Sequence, residues 1–160
     1  MFYTLNWTAM AVSILTLAVF IPVAQAETPF DFNYCGSSTT TMVSESKELS
    51  VFGLNGKGIV SSNHENKLFD NFTYQYVGVV KVVDGKRTGN GYTKYTDPDG
   101  DTIVQEFAMD GMESSIKLIQ GSGKWKGING TGKSVPITGG KPTPSGTTCR
   151  RIVGVFEILK

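Results

Sequence analysis

The stretch Gly127-Ile-Asn-Gly-Thr-Gly-Lys-Ser134, followed by Val135-Pro136-Ile-Thr-Gly139-Gly140-Lys-Pro142-Thr-Pro144, decides the fold. Its first eight residues match the phosphate-loop pattern G-x-x-x-x-G-K-S letter for letter. A working phosphate loop follows a buried strand and opens a helix, because the helix N-terminus and the loop amides hold the phosphates together. Two glycines and three prolines between positions 136 and 144 forbid that helix. The strand that would carry the magnesium-binding acid, Val79-Val80-Lys81-Val82-Val83-Asp84, has a lysine in its middle. No nucleotide is therefore expected. The run reads instead as turns between β-strands, and the chain as all-β.

Outward from that stretch, short alternating or apolar runs recur between turn residues, with no sustained helical period. Thr39 to Phe52 carries one or two Ser/Thr-rich strands, and Asn55-Gly56 reads as a tight hairpin turn before Lys57 to Ser62. Asn63 to Asp70 is a polar loop. Phe72 to Val83 puts Phe72, Tyr74, Tyr76, Val80 and Val82 on one face. Asp84-Gly85 is the next hairpin turn, then a Gly- and Tyr-rich strand runs from Arg87 to Thr96. After the turn Asp97-Pro-Asp-Gly-Asp101, Thr102 to Met109 puts Ile103, Phe107 and Met109 on one side. Ser115 to Gln120 follows, and Arg150 to Leu159 comes last, with Ile152, Phe156 and Ile158 facing one way. The total is about eight antiparallel strands in up-and-down order, several apolar on both faces. Closing the sheet into a β-barrel removes the exposed edges such strands would leave. A β-sandwich is the alternative.

Gly121-Ser-Gly123-Lys-Trp125-Lys-Gly127-Ile-Asn-Gly130 reads as a tightly coiled strand in which one aromatic plugs the barrel end. The run resembles the G-[ST]-G-x-[aromatic]-x-G-x-x-G pattern of the allene oxide cyclase and dirigent proteins. The Asp99-Gly100-Asp101 turn before an apolar strand is similar to bacterial secreted members of that superfamily. The resemblance spans about Gly89 to Lys133. It implies an eight-stranded antiparallel barrel with a pocket for an apolar small molecule, in a homo-oligomer for many members. None of the family's catalytic positions maps onto residues of this chain.

Ala9 to Ala24 is mostly apolar and uncharged, and Val23-Ala24-Gln25-Ala26 is a small-x-small cleavage pattern. Residues 1–26 are thus expected to be a signal peptide, and 27–160 a single exported domain, periplasmic or secreted, without stable membrane insertion. Cleavage after Ala26 of the 160 residues leaves 134, enough for one core. With 15 basic and 14 acidic residues, all beyond position 26, neither nucleic acid nor an anionic membrane is an expected partner. Cys35 and Cys149 are expected to form a disulfide in an oxidising compartment. One histidine, His64, is too few for a zinc set, and no metal or other cofactor is expected.

Asp97, Asp99 and Asp101 could present carboxylates to calcium, but EF-hand spacing fails and a plain turn is the simpler reading. Tyr74, Tyr76, Tyr92, Tyr95 and Glu106 lie on neighbouring strands and form the candidate ligand-binding set. Tyrosine offers an apolar wall with one hydroxyl, and a carboxylate turned inward would have a raised pKa. The leading functional reading is a binding module for a small, mainly apolar molecule. The alternatives are a cofactor-free cyclase or isomerase, and a structural protein with a filled barrel.

Overall fold

The structure, a computed structural model, describes residues 26–46, 48–137 and 146–159. The expected signal peptide, Ala26 apart, and most of the Pro/Gly-rich segment after Gly139 lie outside them. Eight strands follow one another: β1 (Thr28–Glu45), β2 (Leu49–Ser62), β3 (Thr73–Val83), β4 (Lys86–Thr96), β5 (Thr102–Asp110), β6 (Glu113–Gly121), β7 (Ile128–Pro136) and β8 (Thr147–Ile158). Each pairs antiparallel with the next, and β8 pairs back onto β1, so the sheet is a closed barrel and not a sandwich. Cys35 stands opposite Cys149 across the closing seam, and the two are disulfide-bonded.

Side chains alternate in and out along the strands, as the two-residue period requires, apart from register shifts at Met42/Ser44 and Val104/Gln105. On β3, Tyr74 and Val80 are buried while Gln75, Val77 and Val79 face out. On β8, Ile152 and Phe156 are buried and Val153 is exposed. Asp84 and Gly85 both have positive φ, 48° and 77°, in the tight turn between β3 and β4.

Three sequence readings are corrected. Asn55-Gly56 is not a turn. Both residues lie inside β2, paired with Thr39 and Ser38 on one side and with Val77 and Tyr76 on the other. The ladder overrides the local turn preference, and Gly56 serves as a gap: a Cβ there would overlap the Tyr76 ring. The chain turns instead near Ser46, whose Oγ accepts from the Leu49 amide at 3.0 Å. Second, the stretch from Gly127 is not a set of turns, because Ile128–Pro136 is strand β7. Neither the loop nor the helix of a phosphate site is formed. Third, the glycine run is not one continuous strand. β6 ends at Gly121, Gly123–Trp125 make a single 3-10 turn, and β7 starts at Ile128. Gly123 and Gly127, with φ of 52° and 84°, supply the left-handed corners.

One end of the barrel is plugged. Trp125 is buried there as expected, with Phe30, Phe32, Phe72 and Phe156. The 63–71 loop is less polar in effect than in composition, because its Phe69 stacks on Phe32 at 5.1 Å and on Trp125 at 5.5 Å. Its His64 is half-buried, and the backbone amide of Asn66 reaches its Nδ1 at 3.4 Å.

Candidate ligand cavity

Above the aromatic plug the interior widens into a cavity of about 190 Å³. Every lining side chain comes from the inward phase of its strand. Tyr34 is on β1, Leu54 on β2 and Tyr76 on β3, with Thr93 on β4, Gln105, Phe107 and Met109 on β5, and Ser114 and Ile116 on β6. Ser38 and Thr40 further along β1, Ser134 on β7 and Thr148 and Arg150 on β8 complete the wall, and Arg87 stands at the rim. Rings provide the apolar faces, while hydroxyls, one amide and guanidinium groups provide the polar points. A larger hollow on the outer wall, about 660 Å³, is open surface over Gly36, Gly58, Lys57 and Lys94.

Arg150 is the most constrained polar group of the cavity. Its Nε donates to the Ser134 hydroxyl at 2.8 Å. Its Nη2 donates to the carbonyls of Met112 at 2.9 Å and Ser134 at 2.8 Å. Tyr34 is pushed up to about 12 by burial, against the partial relief of nearby Arg150 and Ser134. Tyr74 and Tyr95 are raised as well, first by burial and then by the neighbouring tyrosines. All three are therefore neutral hydroxyls at physiological pH. Below the cavity floor, Tyr95 donates to Gln105 Oε1 at 2.9 Å, whereas the buried Tyr74 hydroxyl has no partner among the described residues.

The expected ligand-binding set divides between two faces. Tyr74, Tyr76 and Tyr95 point inward, and Tyr74 packs on Tyr76 at 6.3 Å and Tyr95 at 6.5 Å. Only Tyr76 of the three lines the cavity. Tyr92, 51 % exposed, and Glu106 stand opposite each other on the outer wall. They occupy the outward phase of β4 and β5, so neither belongs to an interior site. Tyr34, Gln105, Ser114, Ser134 and Arg150 were missed. The signal for them was phase: each falls an even number of residues from an apolar position now seen to face inward, as Gln105 does from Ile103, Ser134 from Ile128 and Arg150 from Ile152.

The cavity wall contains no His, Asp or Glu, so no base stands beside Ser114 or Ser134 among the described residues. The wall can clasp a ring and hydrogen-bond its substituents. The Asp97–Asp101 turn lies at the opposite, plugged end and its carboxylates are already engaged. Asp97 Oδ1 accepts from the amides of Asp99 and Asp101, both at 2.9 Å, and its Oδ2 accepts from Trp125 Nε1 at 2.9 Å. Lys124 bridges Asp97 and Asp99.

The solved structure of the pterocarpan synthase dirigent protein GePTS1 has a similar fold. The match has a TM-score of 0.52 at 12 % sequence identity, and covers 96 % of this chain and 100 % of that one. No family model and no curated sequence matches the chain. The likeness to the dirigent protein is thus one of fold, an eight-stranded barrel.

Proposed function

We propose that this protein is an exported, disulfide-braced barrel of the dirigent-like kind that binds a small molecule in its open half. The observation that carries the reading is the interior cavity of about 190 Å³, set in a barrel whose other half is solid. A cavity of about 150 Å³ already accommodates benzene. One ring with short substituents therefore suits the space. The mixed wall narrows the mainly apolar ligand of the sequence reading to one with an apolar ring and polar groups at its edge. The cavity also weighs against a purely structural, filled barrel. A cyclase or isomerase is the second reading. Tyr34, Tyr76 and Arg150 would supply its polar contacts, but Glu106, the carboxylate of the expected ligand-binding set, faces solvent. Export rests on the leader pattern of residues 1–26 and on the disulfide, a bond kept in oxidising compartments.

Native mass spectrometry of the protein purified from its host tests the binding reading. The expected result is a small mass increment that is lost on denaturation and is reduced in a Met109→Trp variant, which fills the cavity mouth. Repeated preparations without any bound molecule, and a variant indistinguishable from the parent, would overturn it.

A further inference from the structure

We infer that the cavity takes an anion, specifically a small aromatic carboxylate, with Arg150 as the group that recognises its charge. This rests on the ligand-binding reading and adds the chemistry of the ligand. Two observations support it. The first is charge balance. The cavity is lined by two arginines, Arg150 in the wall and Arg87 at the rim, and by no carboxylate. Elsewhere Lys86 pairs with Asp110, Lys124 with Asp97 and Asp99, and Arg151 with Asp31, while Lys67 donates to the Ser62 carbonyl. Neither Arg150 nor Arg87 has an acidic partner among the described residues. Residues 138–145 contain no Asp or Glu. The acids at this end, Glu45, Glu48, Asp84, Asp110 and Glu113, are exposed residues of the turns and strand ends, and Asp110 is taken by Lys86.

The second is the donor count. A guanidinium carries five N–H donors. Nε and both hydrogens of Nη2 are used by Ser134 and Met112. That leaves the two hydrogens of Nη1 without a partner among the described residues. The three bonds already made fix the plane of the group, so little side-chain freedom is lost when a ligand arrives. A charge held half-buried with two free donors is complementary to a carboxylate oxygen. The rings of Tyr34, Tyr76 and Phe107 on the same wall suit the aromatic body that would carry it.

Benzoate and its uncharged twin benzamide form the test, titrated separately into the intact disulfide-bonded protein and followed by backbone amide NMR shifts. Benzoate should move the amides around Ser114, Ser134 and Arg150, leave Trp125 at the plugged end unmoved, and bind at least about tenfold tighter than benzamide. Arg150→Gln should bring the two affinities together. Arg150→Lys should keep a preference for benzoate, and Arg87→Gln at the exposed rim should cost only about twofold. If Arg150→Gln unfolds, the wild-type ratio and the lysine variant still decide. Equal or tighter binding of benzamide in the cavity would overturn the anion inference while leaving the ligand-binding reading intact. Shifts confined to outer-wall lysines, or no cavity shift with either probe, would overturn both.

Discussion

The two halves of this barrel are built from the same eight strands, yet one is solid and the other hollow. Following β5 upward shows the change: Ile103 is buried in the plug, Gln105 sits at the boundary, and Phe107 and Met109 look into open space. On β8 the same climb passes from Phe156 through Ile152 to Arg150 and Thr148. The same strands continue through both halves, with one register shift between Val104 and Gln105 where β5 meets β6, so the difference is chiefly one of side-chain volume. At the plugged end the ring of Phe69 reaches inward from a loop and touches Phe30, Phe32, Phe72, Trp125 and Phe156. At the open end serines and threonines stand where rings would be needed to close the interior. An eight-stranded barrel is just wide enough for side chains to fill it, and this chain fills half.

A hollow half lacks the packing that holds the other together, and the disulfide lies at its level. Cys35 and Cys149 directly follow Tyr34 and precede Arg150, both cavity residues, so the bridge clamps the outer side of the cavity wall. The largest effect is therefore expected from its removal. Closing a loop of 114 residues is worth about 4–5 kcal/mol in the chain-entropy model. Urea unfolding of a Cys35→Ser/Cys149→Ser variant measures this. Hydrogen exchange should rise more at residues 34–36 and 148–150 than at Phe30 and Phe156. A loss of stability spread evenly along the seam would erase the contrast between the halves.

Next in size is a strike at the plug. Phe32 is 1 % exposed and touches Phe30, Phe69 and Tyr95. Phe32→Ala should cost about 3–5 kcal/mol in chemical denaturation. A cost below about 1 kcal/mol would mean the aromatic cluster is not the stabilising half.

That cluster was only partly legible in the sequence. Trp125 announced itself, because a lone aromatic among closely spaced glycines needs an end cap to occupy. Phe69 did not, since its neighbours Asn66, Lys67, Asp70 and Asn71 give the segment the look of a solvated loop. Strand number, closure and the disulfide followed from period, edge protection and cysteine count. The Asn55-Gly56 pair misled because turn chemistry is local, whereas the pairing of β2 on both sides is not. The site was the least legible part. Tyr92 and Glu106 look like lining residues until the phase of β4 and β5 is fixed, and a one-residue slip moves a side chain across the wall. Arg150, next to a cysteine at the start of the last strand, carried no motif at all.

A smaller effect is expected where the plug is tied to its turns. Burial alone would raise the Asp97 carboxyl, but Lys124, Trp125 and backbone amides hold it down at about 2. A folded value below the ordinary ~4 means that the stabilisation is complete above that ordinary value. It is lost as pH falls from there through about 2. The midpoint of thermal unfolding should drop across that window. Asp97→Asn should flatten the drop and cost about 1–3 kcal/mol at neutral pH, because the new amide nitrogen cannot accept from Trp125 Nε1 or the turn amides. An unchanged pH profile in the variant would assign the acid sensitivity elsewhere, Asp31 being the other aspartate whose pKa is lowered, chiefly by Arg151.

The smallest effect should come at the boundary between the halves, and its sign matters more than its size. Tyr74 and Tyr95 are both buried and lie 6.5 Å apart, so the loss of a hydroxyl can be compared at nearly one place. Tyr95 bonds to Gln105, and Tyr95→Phe strands the amide oxygen of a residue that is itself buried. That variant should lose about 1–2 kcal/mol. The Tyr74 hydroxyl is buried without a partner among the described residues, so Tyr74→Phe removes a desolvated group and forfeits no bond seen there. It should be neutral or stabilising by up to about 1 kcal/mol. Equal losses in the two variants would show that the Tyr74 hydroxyl is satisfied in solution, which would place water, and with it the floor of the hollow half, one layer deeper than the packing of rings implies.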